Sequence, residues 1–294
     1  MSKIDTSKLL ISSDFYSTQG EGISSGIPSY FVRLGICNLT CGMSRAFANK
    51  LAKEQSLEDG EIFVGDLHAE GKATWTCDST SQWLWRGEDK DFQYLIDRWK
   101  EQGIYDGIKN GTIHIIWTGG EPTIKGHQEA IVNFHKYWKS VDPEIDLYDF
   151  DNPEYDVLYY KLDQFYNEIE TNGTVYIEDK LFQLLNQINC SPKLSNSGMS
   201  EKQRINPEAI KRIMEHSNYQ FKFVISNEED VQEMFRDYIV PFSIPLTNVV
   251  CMPGLDDQDN FHERTQFVLE MAKKYKFRGL TRLHISAWNK TLNV

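Results

Sequence analysis

Three cysteines in this sequence could meet at one metal site. Three residues separate Cys37 from Cys41, and Cys77 follows after an interruption of 35 residues. Thiolates are soft ligands that suit zinc and iron-sulfur clusters. If the interruption leaves and returns to one place, three sulfurs without an evident fourth ligand favour an iron-sulfur cluster with one iron open to a non-protein ligand. The alternative is three scattered core thiols, since free cysteine is commonly buried.

A structural zinc site is a further alternative for the same cysteines. Such sites take four ligands, and His68 inside the interruption is the available fourth. This hypothesis would make the chain a binding protein and not an enzyme. The chain has five cysteines, an odd number that does not favour a disulfide framework. We expect the other two, Cys190 and Cys251, to be buried core thiols.

A second polar motif is Thr118-Gly119-Gly120-Glu121-Pro122, which follows an apolar run. Paired glycines at the end of a strand would let a ligand approach the backbone, because they carry no side chain. The carboxylate of Glu121 could then receive an ammonium group. A simple turn could have the same residues, so the motif alone does not distinguish a ligand site from a turn.

The composition bounds the class of protein. The 294 residues, 40% of them hydrophobic, suffice for one large α/β domain or two small ones. A net charge of -12 disfavours nucleic acid or an anionic membrane as the partner, since both require clustered Lys and Arg. No apolar run approaches the ~20 residues that span a bilayer, and residues 1–5 lack the apolar core of a signal peptide. We therefore expect a cytoplasmic protein that binds a small molecule.

Hydrophobic periodicity places the polar motifs at the ends of strands. The pattern alternates between strand and helix periods, which is typical of βα units and a parallel sheet. Polar motifs follow most strands, and active sites of α/β barrels lie at that edge. Pro207 should open a helix, and Ser226 with Glu229 has the spacing of a capping box. The predicted strands are 9–16, 30–34, 113–117, 164–170, 188–190, 221–225, 248–252 and 281–285, and the predicted helices are 44–54, 92–102, 127–139, 177–187, 207–216 and 261–275.

Two segments depart from this alternation, at about 42–76 and 142–160. We interpret both as insertions in a single domain over residues 1–294. Closure entropy grows only logarithmically with loop length, about 0.6 kcal/mol per doubling, so the first insertion need not disturb a site at its ends. Residues 142–156 carry seven acidic residues. Their spacing matches no calcium loop, which favours a solvated insertion over a metal site.

Together, the cysteine run and the Gly-Gly-Glu motif resemble the radical S-adenosylmethionine superfamily. In that superfamily three cysteines hold a 4Fe-4S cluster, and the amino acid part of S-adenosylmethionine chelates the fourth iron. The third cysteine usually follows the second by three positions, where this chain has Ser44. The segment Cys77-Asp78-Ser79 is the substitute for it here.

More narrowly, seven motifs in order resemble the 7-carboxy-7-deazaguanine synthase family. The resemblance covers most of the chain from residue 14 to about 285. The family usually has threonine where Ser79 stands and lacks the two insertions. The motifs are residues 17–22, 31–34 with 37–39, 77–79, 119–122, 169–174, 191–193 and 222–224.

The resemblance implies a role for each motif residue. A planar guanidinium such as that of Arg33 suits the carboxylate of a 6-carboxy-5,6,7,8-tetrahydropterin substrate. Ser79, with Thr80 as the fallback, would bind Mg2+, and Cys37, Cys41 and Cys77 would hold the 4Fe-4S cluster. The substrate would be bound by Thr18, Gln19, Gly20, Glu21, Arg33 and Thr118. The S-adenosylmethionine site would be lined by Asp78, Gly119, Gly120, Glu121, Thr171, Asn172, Ser191 and Lys193.

The resemblance also implies a fold and a reaction. The fold is α/β, a partial, open (β/α) barrel with insertions. One electron, from a donor such as flavodoxin, would cleave S-adenosylmethionine to a 5′-deoxyadenosyl radical that takes hydrogen from C6 of the pterin. Ring contraction with loss of ammonia would give 7-carboxy-7-deazaguanine, in an enzyme of the carbon-nitrogen lyase type that forms a homodimer. The rival within the superfamily is an activase that places a radical on a partner polypeptide and needs an exposed acceptor groove.

Overall fold

The structure is a computed structural model. It describes residues 4–44, 46–47, 49–50, 71–75, 77, 79–80, 84, 86–145, 164–254 and 260–289. Nine strands within these residues form one sheet. They are β1 Leu9–Thr18, β2 Pro28–Leu34, β3 Glu88–Lys90, β4 His114–Gly119, β5 Tyr166–Thr171, β6 Gln187–Cys190, β7 Tyr219–Ile225, β8 Val249–Pro253 and β9 Arg278–Gly279.

The sheet is open and mostly parallel. Its order is β3-β1-β2-β4-β5-β6-β7-β8-β9. β1 runs antiparallel to both β2 and β3, and every pair from β2 to β9 is parallel. The carboxyl ends of seven neighbouring strands, β2 and β4 to β9, therefore lie along the same edge, which we call the carboxyl edge. The predicted α/β class with a partial, open barrel is confirmed.

Helices connect the parallel strands. They are α1 Gln93–Glu101, α2 Tyr105–Lys109, α3 Lys125–Val141, α4 Asp179–Leu184, α5 Glu201–Arg204, α6 Pro207–Met214, α7 Glu228–Met234, α8 Val240–Phe242, α9 Phe261–Tyr275 and α10 Leu283–Trp288. Short 3-10 turns occupy Ser195–Ser197 and Leu246–Asn248, and a π turn occupies Phe235–Ile239. Within the described part of the chain, none of the helices has the length and apolarity needed to cross a bilayer.

The two faces of the sheet differ in polarity. One face packs on the helices: the ring of Trp117 on β4 lies 5.7 Å from that of Phe134 on α3. Burying side chains of this size is the main stabilising contribution, about 1.5–3 kcal/mol for each. On the other face, register aligns Glu170, Asn189 and Gln220 across β5, β6 and β7. This inner face is polar although Asn189 and Gln220 are buried.

Most predicted elements are confirmed to within a few residues, and Pro207 does open α6 beside the capping side chain of Asn206. The short strand β3 and the two-residue strand β9 were not predicted. The helix predicted at 44–54 and both insertions lie largely outside the described residues. That the whole chain is one domain stays a prediction.

The predicted strand at 281–285 is wrong. The chain pairs with β8 earlier, at Arg278–Gly279, and then turns into α10, whose first amide, that of Leu283, donates to the carbonyl of Gly20 at 2.9 Å. Tertiary contact with the loop around Gly20 thus overrides the alternating pattern of the segment.

The predicted capping box at Ser226 and Glu229 is also wrong. Asn227 caps α7, because its side chain accepts from the amide of Asp230 at 2.9 Å. The amide of Ser226 donates to the carboxylate of Asp230 at 2.7 Å. The cap therefore lies one residue later than the spacing predicted.

Candidate functional site

The three cysteines lie on one wall at the carboxyl edge. Cys41 is buried with Leu39 and Met199, and Cys37 and Cys77 pack against that cluster. The amide of Cys77 donates to the carbonyl of Cys41 at 3.3 Å. The 35-residue interruption therefore leaves and returns at the same place, as a shared site requires.

A single 3-10 turn, Ser195–Ser197, holds both ends of the interruption; we call it the anchor turn. The amide of Gly42 donates to the carbonyl of Ser197, and the amide of Thr74 donates to the carbonyl of Asn196, both at 2.9 Å. Two backbone bonds to adjacent residues fix the exit and the return of the insertion. They bring the third cysteine to the first two.

The environment of Cys37 fits a metal ligand better than a nucleophile. Burial, with the negative charge of Glu121, raises the pKa of the Cys37 thiol to about 12. A thiol of this kind becomes a thiolate when a metal binds it. The amide of Leu39 points at the Cys37 sulfur over 3.5 Å, the kind of hydrogen bond that tunes cluster sulfurs.

A single-ion site is not evident on this wall. Among the residues that the structure describes, no three His, Cys, Asp or Glu side chains converge on one metal ion. A 4Fe-4S cluster distributes its cysteines over separate irons, so three sulfurs spread on one wall fit it. His68, the fourth ligand in the zinc hypothesis, lies outside the described residues, as does Asp78.

Backbone strain marks the start of the cysteine segment. Ile36 has a φ of 67°, which is rare for a β-branched residue and is typical of functional sites. Its carbonyl accepts from the amide of Glu121 at 2.9 Å and would lie 1.9 Å from any side chain added at Gly120. Gly119, with a φ of +105°, meets the backbone of Leu34 in the same way. The glycine pair thus lets the cysteine segment approach β4, a protein contact that the sequence did not reveal.

Glu121 is the buried centre of this edge. Its carboxylate accepts from the amide and hydroxyl of Thr123, from the hydroxyl of Thr171 at 2.7 Å and from the amide of Asn172 at 2.7 Å. Burial raises the pKa of Glu121 in spite of these donors. The carboxylate joins the ends of β4 and β5.

Asn172 connects β5 to the cysteine segment. The nitrogen of its side-chain amide donates to the side-chain oxygen of Asn38 at 2.9 Å and lies 4.0 Å from the sulfur of Cys37. Asn38 in turn donates to the hydroxyl of Thr174 at 2.7 Å. The predicted residue Asn172 therefore contacts the cysteine wall directly.

Ser191 and Lys193 follow β6 on the same edge. The amide of Ser191 donates to the carbonyl of Thr171 at 2.7 Å, and the ammonium of Lys193 lies 3.3 Å from the Ser191 hydroxyl. That ammonium also lies 5.7 Å from the ring centre of Trp75, two residues before Cys77. A cation thus stands beside the cysteine wall.

A second group of charges lies beside this wall, on the inner face. The ammonium of Lys222 contacts the carboxylates of Glu21 and of Glu170, the latter at 3.5 Å. Arg282 donates to Glu21 at 2.8 Å, and Gln19 donates to Glu170 at 3.3 Å. We call these five residues the inner polar cluster.

The charges of the inner polar cluster compensate one another. Burial alone would raise the pKa of Glu21, but Lys222, Arg282 and His284 hold it well below its ordinary value. Burial would lower the pKa of Lys222, but Glu170 and Glu21 raise it. Both groups are therefore charged near neutral pH.

Thr118 and Arg33 extend this cluster toward β2. They are register partners on neighbouring parallel strands and so share the inner face. Thr118 donates to Glu170 at 2.8 Å, and the guanidinium of Arg33 lies 4.8 Å from the ring centre of Phe15. Thr18 ends β1, opposite Pro28.

The predicted Mg2+ ligands differ in what they contact. The hydroxyl of Thr80 donates to the carbonyl of Cys77 at 2.6 Å, and its side chain is fully buried. Thr80 is thus engaged in the turn after the cysteine, and Ser79 beside it is half-buried.

No site role was predicted from the sequence for Lys222, Arg282 or His284. Lys222 stood in a quoted motif, and a lysine inside an apolar strand is itself a signal, since lysine is almost never buried without a partner. Arg282 and His284 fell in the segment misread as a strand. A side chain added at Gly20 would collide with the ring of His284.

The chain is similar over nearly its whole length to proteins named 7-carboxy-7-deazaguanine synthase. It is 26% identical to the one from Pyrobaculum aerophilum, over 93% of this chain and 92% of the relative. It is 24% identical to that of Aquifex aeolicus, over 95% of this chain and 94% of the relative. To that of Rickettsia prowazekii it is 57% identical, but over 37 residues, 13% of this chain and 16% of the relative. The resemblance found in the sequence is thereby confirmed.

A comparison of folds agrees with the similarity of sequence. The structure matches the crystal structure of QueE from Escherichia coli with a TM-score of 0.54 and 19% sequence identity, covering 94% of this chain and 95% of that one. Because the sequence identity is only 19%, this similarity supports the fold alone, which is the open barrel. No family model matches the sequence.

Proposed function

We propose that this chain is a 7-carboxy-7-deazaguanine synthase, which contracts the ring of 6-carboxy-5,6,7,8-tetrahydropterin with loss of ammonia. One observation carries the proposal. A wall of three cysteines and an inner polar cluster of fixed charges both contact the carboxyl end of β5: the ammonium of Lys222 lies 3.5 Å from Glu170, and the side-chain nitrogen of Asn172, two residues later, lies 4.0 Å from the sulfur of Cys37. This fits a radical cofactor placed against a polar heterocycle.

The cysteine wall would hold a 4Fe-4S cluster through Cys37, Cys41 and Cys77, with S-adenosylmethionine on the fourth iron. When bound, these groups supply the radical that begins the reaction, and the protein supplies orientation and exclusion of water. The donor set supports this assignment, because Cys37 packs against an apolar cluster and has amide donors nearby. The residues that would line S-adenosylmethionine are Glu121, Thr171, Asn172, Ser191 and Lys193, with Gly119 and Gly120 in the turn before Glu121 and Asp78 from the sequence.

The inner polar cluster would bind the pterin. Gln19 and Glu21 offer acceptors and a donor to the edge of the ring, and both are held by neighbours before a ligand arrives, which lowers the entropic cost of binding. Arg33 would bind the substrate carboxylate by its planar fork. Ser79 would supply a hydroxyl to Mg2+, which would orient that carboxylate and neutralise its charge.

The inner polar cluster also argues against the activase alternative. An activase must admit a segment of a partner polypeptide, whereas Gln19 is 2% exposed and Lys222 is 4% exposed. A buried, charge-lined site suits a small polar molecule. A flavodoxin-like electron donor, a homodimer and a cytoplasmic location remain predictions from the sequence.

The test is turnover by the reconstituted protein. Anaerobically loaded, reduced chain would be incubated with S-adenosylmethionine, Mg2+ and the carboxytetrahydropterin, and the deazaguanine product would be sought by mass. We expect product together with methionine and 5′-deoxyadenosine. Cleavage of S-adenosylmethionine without ring contraction would favour the activase, and a colourless zinc-loaded protein would favour the binding-protein hypothesis.

A further inference from the structure

The anchor turn contacts the segment that carries the third cysteine. In this chain the third cysteine follows a 35-residue interruption, so nothing local in the sequence fixes Cys77 near Cys41. Besides the bond from Cys77 to Cys41, contacts from outside the cysteine segments hold it there. The contacts of Asn196 suit this role.

Asn196 contacts the returning segment twice. Its carbonyl accepts from the amide of Thr74 at 2.9 Å. Its side-chain oxygen accepts from the indole nitrogen of Trp75 at 3.0 Å. These bonds fix Thr74 and Trp75, which one residue separates from Cys77, and Trp75 packs on the same apolar cluster as the cysteines.

Asn196 is itself held rigidly. It is 6% exposed, its side-chain nitrogen donates to the carbonyl of Val224 on β7 at 3.4 Å, and it bonds the buried carboxylate of Asp230. The neighbouring Ser195 donates its amide to Glu233 at 2.7 Å. The anchor turn is thus tied to the rigid part of the barrel, as precise positioning requires.

We infer that Asn196 is a positioning residue that returns Cys77 to the cysteine wall through Trp75. Asn196 contacts none of the reacting groups and acts through the position of the third thiol. The inference deepens the proposed function and rests on it for the role of Cys77 as a cluster ligand. The placement of Cys77 can be measured without any cluster.

The experiment compares four variants of the full chain: Asn196→Ala, Trp75→Phe, the double variant and Asn248→Ala. Asn248 is a matched control, because its side chain also donates to a backbone carbonyl, that of Tyr219 at 2.8 Å, where β7 begins and so away from the carboxyl edge. In metal-free protein, the rate of alkylation of Cys77 by iodoacetamide is followed by mass spectrometry. In reconstituted protein, loss of the visible iron-sulfur absorbance to a chelator is timed.

Losing a buried hydrogen bond should speed opening of the returning segment, and with it alkylation of Cys77, about fivefold in each single variant. Because both substitutions remove the same bond, the double variant should react about as fast as the faster single one, and not with the product of the two effects. Cluster loss should accelerate in parallel, while melting temperatures stay near that of Asn248→Ala. Trp75→Phe keeps the test decisive if Asn196→Ala does not fold.

The outcomes separate the two proposals. If the unmodified chain takes up no iron, the proposed function fails, whereas faster alkylation of Cys77 in the variants would still support the inference. If the unmodified chain holds a cluster and the variants alkylate and lose iron at the rate of Asn248→Ala, the inference is overturned and the proposed function stands. If the double variant alkylated Cys77 with the product of the two single effects, Asn196 and Trp75 would not act through one shared bond, and the inference would likewise be overturned.

Discussion

The amide of Cys77 donates a hydrogen bond to the carbonyl of Cys41 at 3.3 Å, across 35 intervening residues. This contact joins two cysteine segments that the sequence keeps apart. It makes the segment of Cys37 and Cys41 and the segment of Cys77 one structural unit. In this unit Cys77 takes the place of a third cysteine that would follow the second within a few residues.

We predict that Cys77→Ala abolishes assembly of the cluster. Removing one of three thiolates leaves an iron without its protein ligand, so iron and sulfide per chain should fall to background after anaerobic reconstitution. Cys251→Ala is the control, since its thiol is buried 3.7 Å from the sulfur of Met234 and away from the wall. A full complement of iron in Cys77→Ala would mean that another residue is the third ligand.

The ion pairs around Glu21 lead to a prediction on stability. Lys222→Met should lower the free energy of unfolding by about 3 kcal/mol near neutral pH, because it leaves buried carboxylates without their partner. Lys273→Met is the surface control: that lysine is 70% exposed and pairs with Glu270. Its removal should cost less than about 1 kcal/mol. Urea unfolding measures both.

The ion pair between Glu21 and Lys222 also predicts that the free energy of unfolding depends on pH. The pKa of Glu21 lies well below its ordinary value in the folded state. The ionised Glu21 carboxylate therefore contributes to the free energy of unfolding above its unfolded pKa, about 4.3. This contribution is lost as the pH falls through that value toward the folded pKa. The difference in stability between the unmodified chain and Lys222→Met should narrow in acid. A difference that widened between pH 6 and pH 4 would contradict this assignment of charge.

We predict that Arg33→Lys lowers kcat/KM for the carboxytetrahydropterin by about tenfold. Lysine keeps the charge but loses the planar fork and the contact with the Phe15 ring, so the substrate carboxylate would be bound through one donor. Arg236→Lys, at an exposed side chain, is the control. Steady-state kinetics at saturating S-adenosylmethionine should show the loss mainly in KM, and unchanged kinetics would remove Arg33 from the substrate site.

The sequence predicted the regular part of the fold well, since apolar runs such as those of β4 and β7 report burial on both faces. It could not predict the anchor turn, because the bond from Gly42 to Ser197 depends on tertiary packing between segments far apart in the chain. Arg282 was missed for a related reason: an alternating pattern suits a strand, but an ion pair with Glu21 and a bond to Gly20 draw the segment into a helix.

The roles of the site residues were less predictable than their positions. Glu121 was expected to face a ligand, and its carboxylate already accepts from Thr123, Thr171 and Asn172. The glycines before it were expected to admit a ligand, and they admit the backbone of residues 34–36. Motif spacing identifies which residues gather at the edge, but the division between structural and ligand contacts depends on the packed neighbours.

Gln220 leads to a prediction on how the substrate residues are positioned. It is 1% exposed, its oxygen accepts from the amide of Ile23 at 3.2 Å, and its nitrogen donates to Asn189 at 2.6 Å. It thereby fastens the loop that carries Gln19 and Glu21. Gln220→Ala should raise KM for the pterin about tenfold, since a loosened loop must be ordered on binding. The rate of S-adenosylmethionine cleavage without substrate should not change, nor should iron content. Gln232→Ala, at an exposed position on α7, is the matched control, and a fall in kcat with KM unchanged would contradict a role in holding the loop.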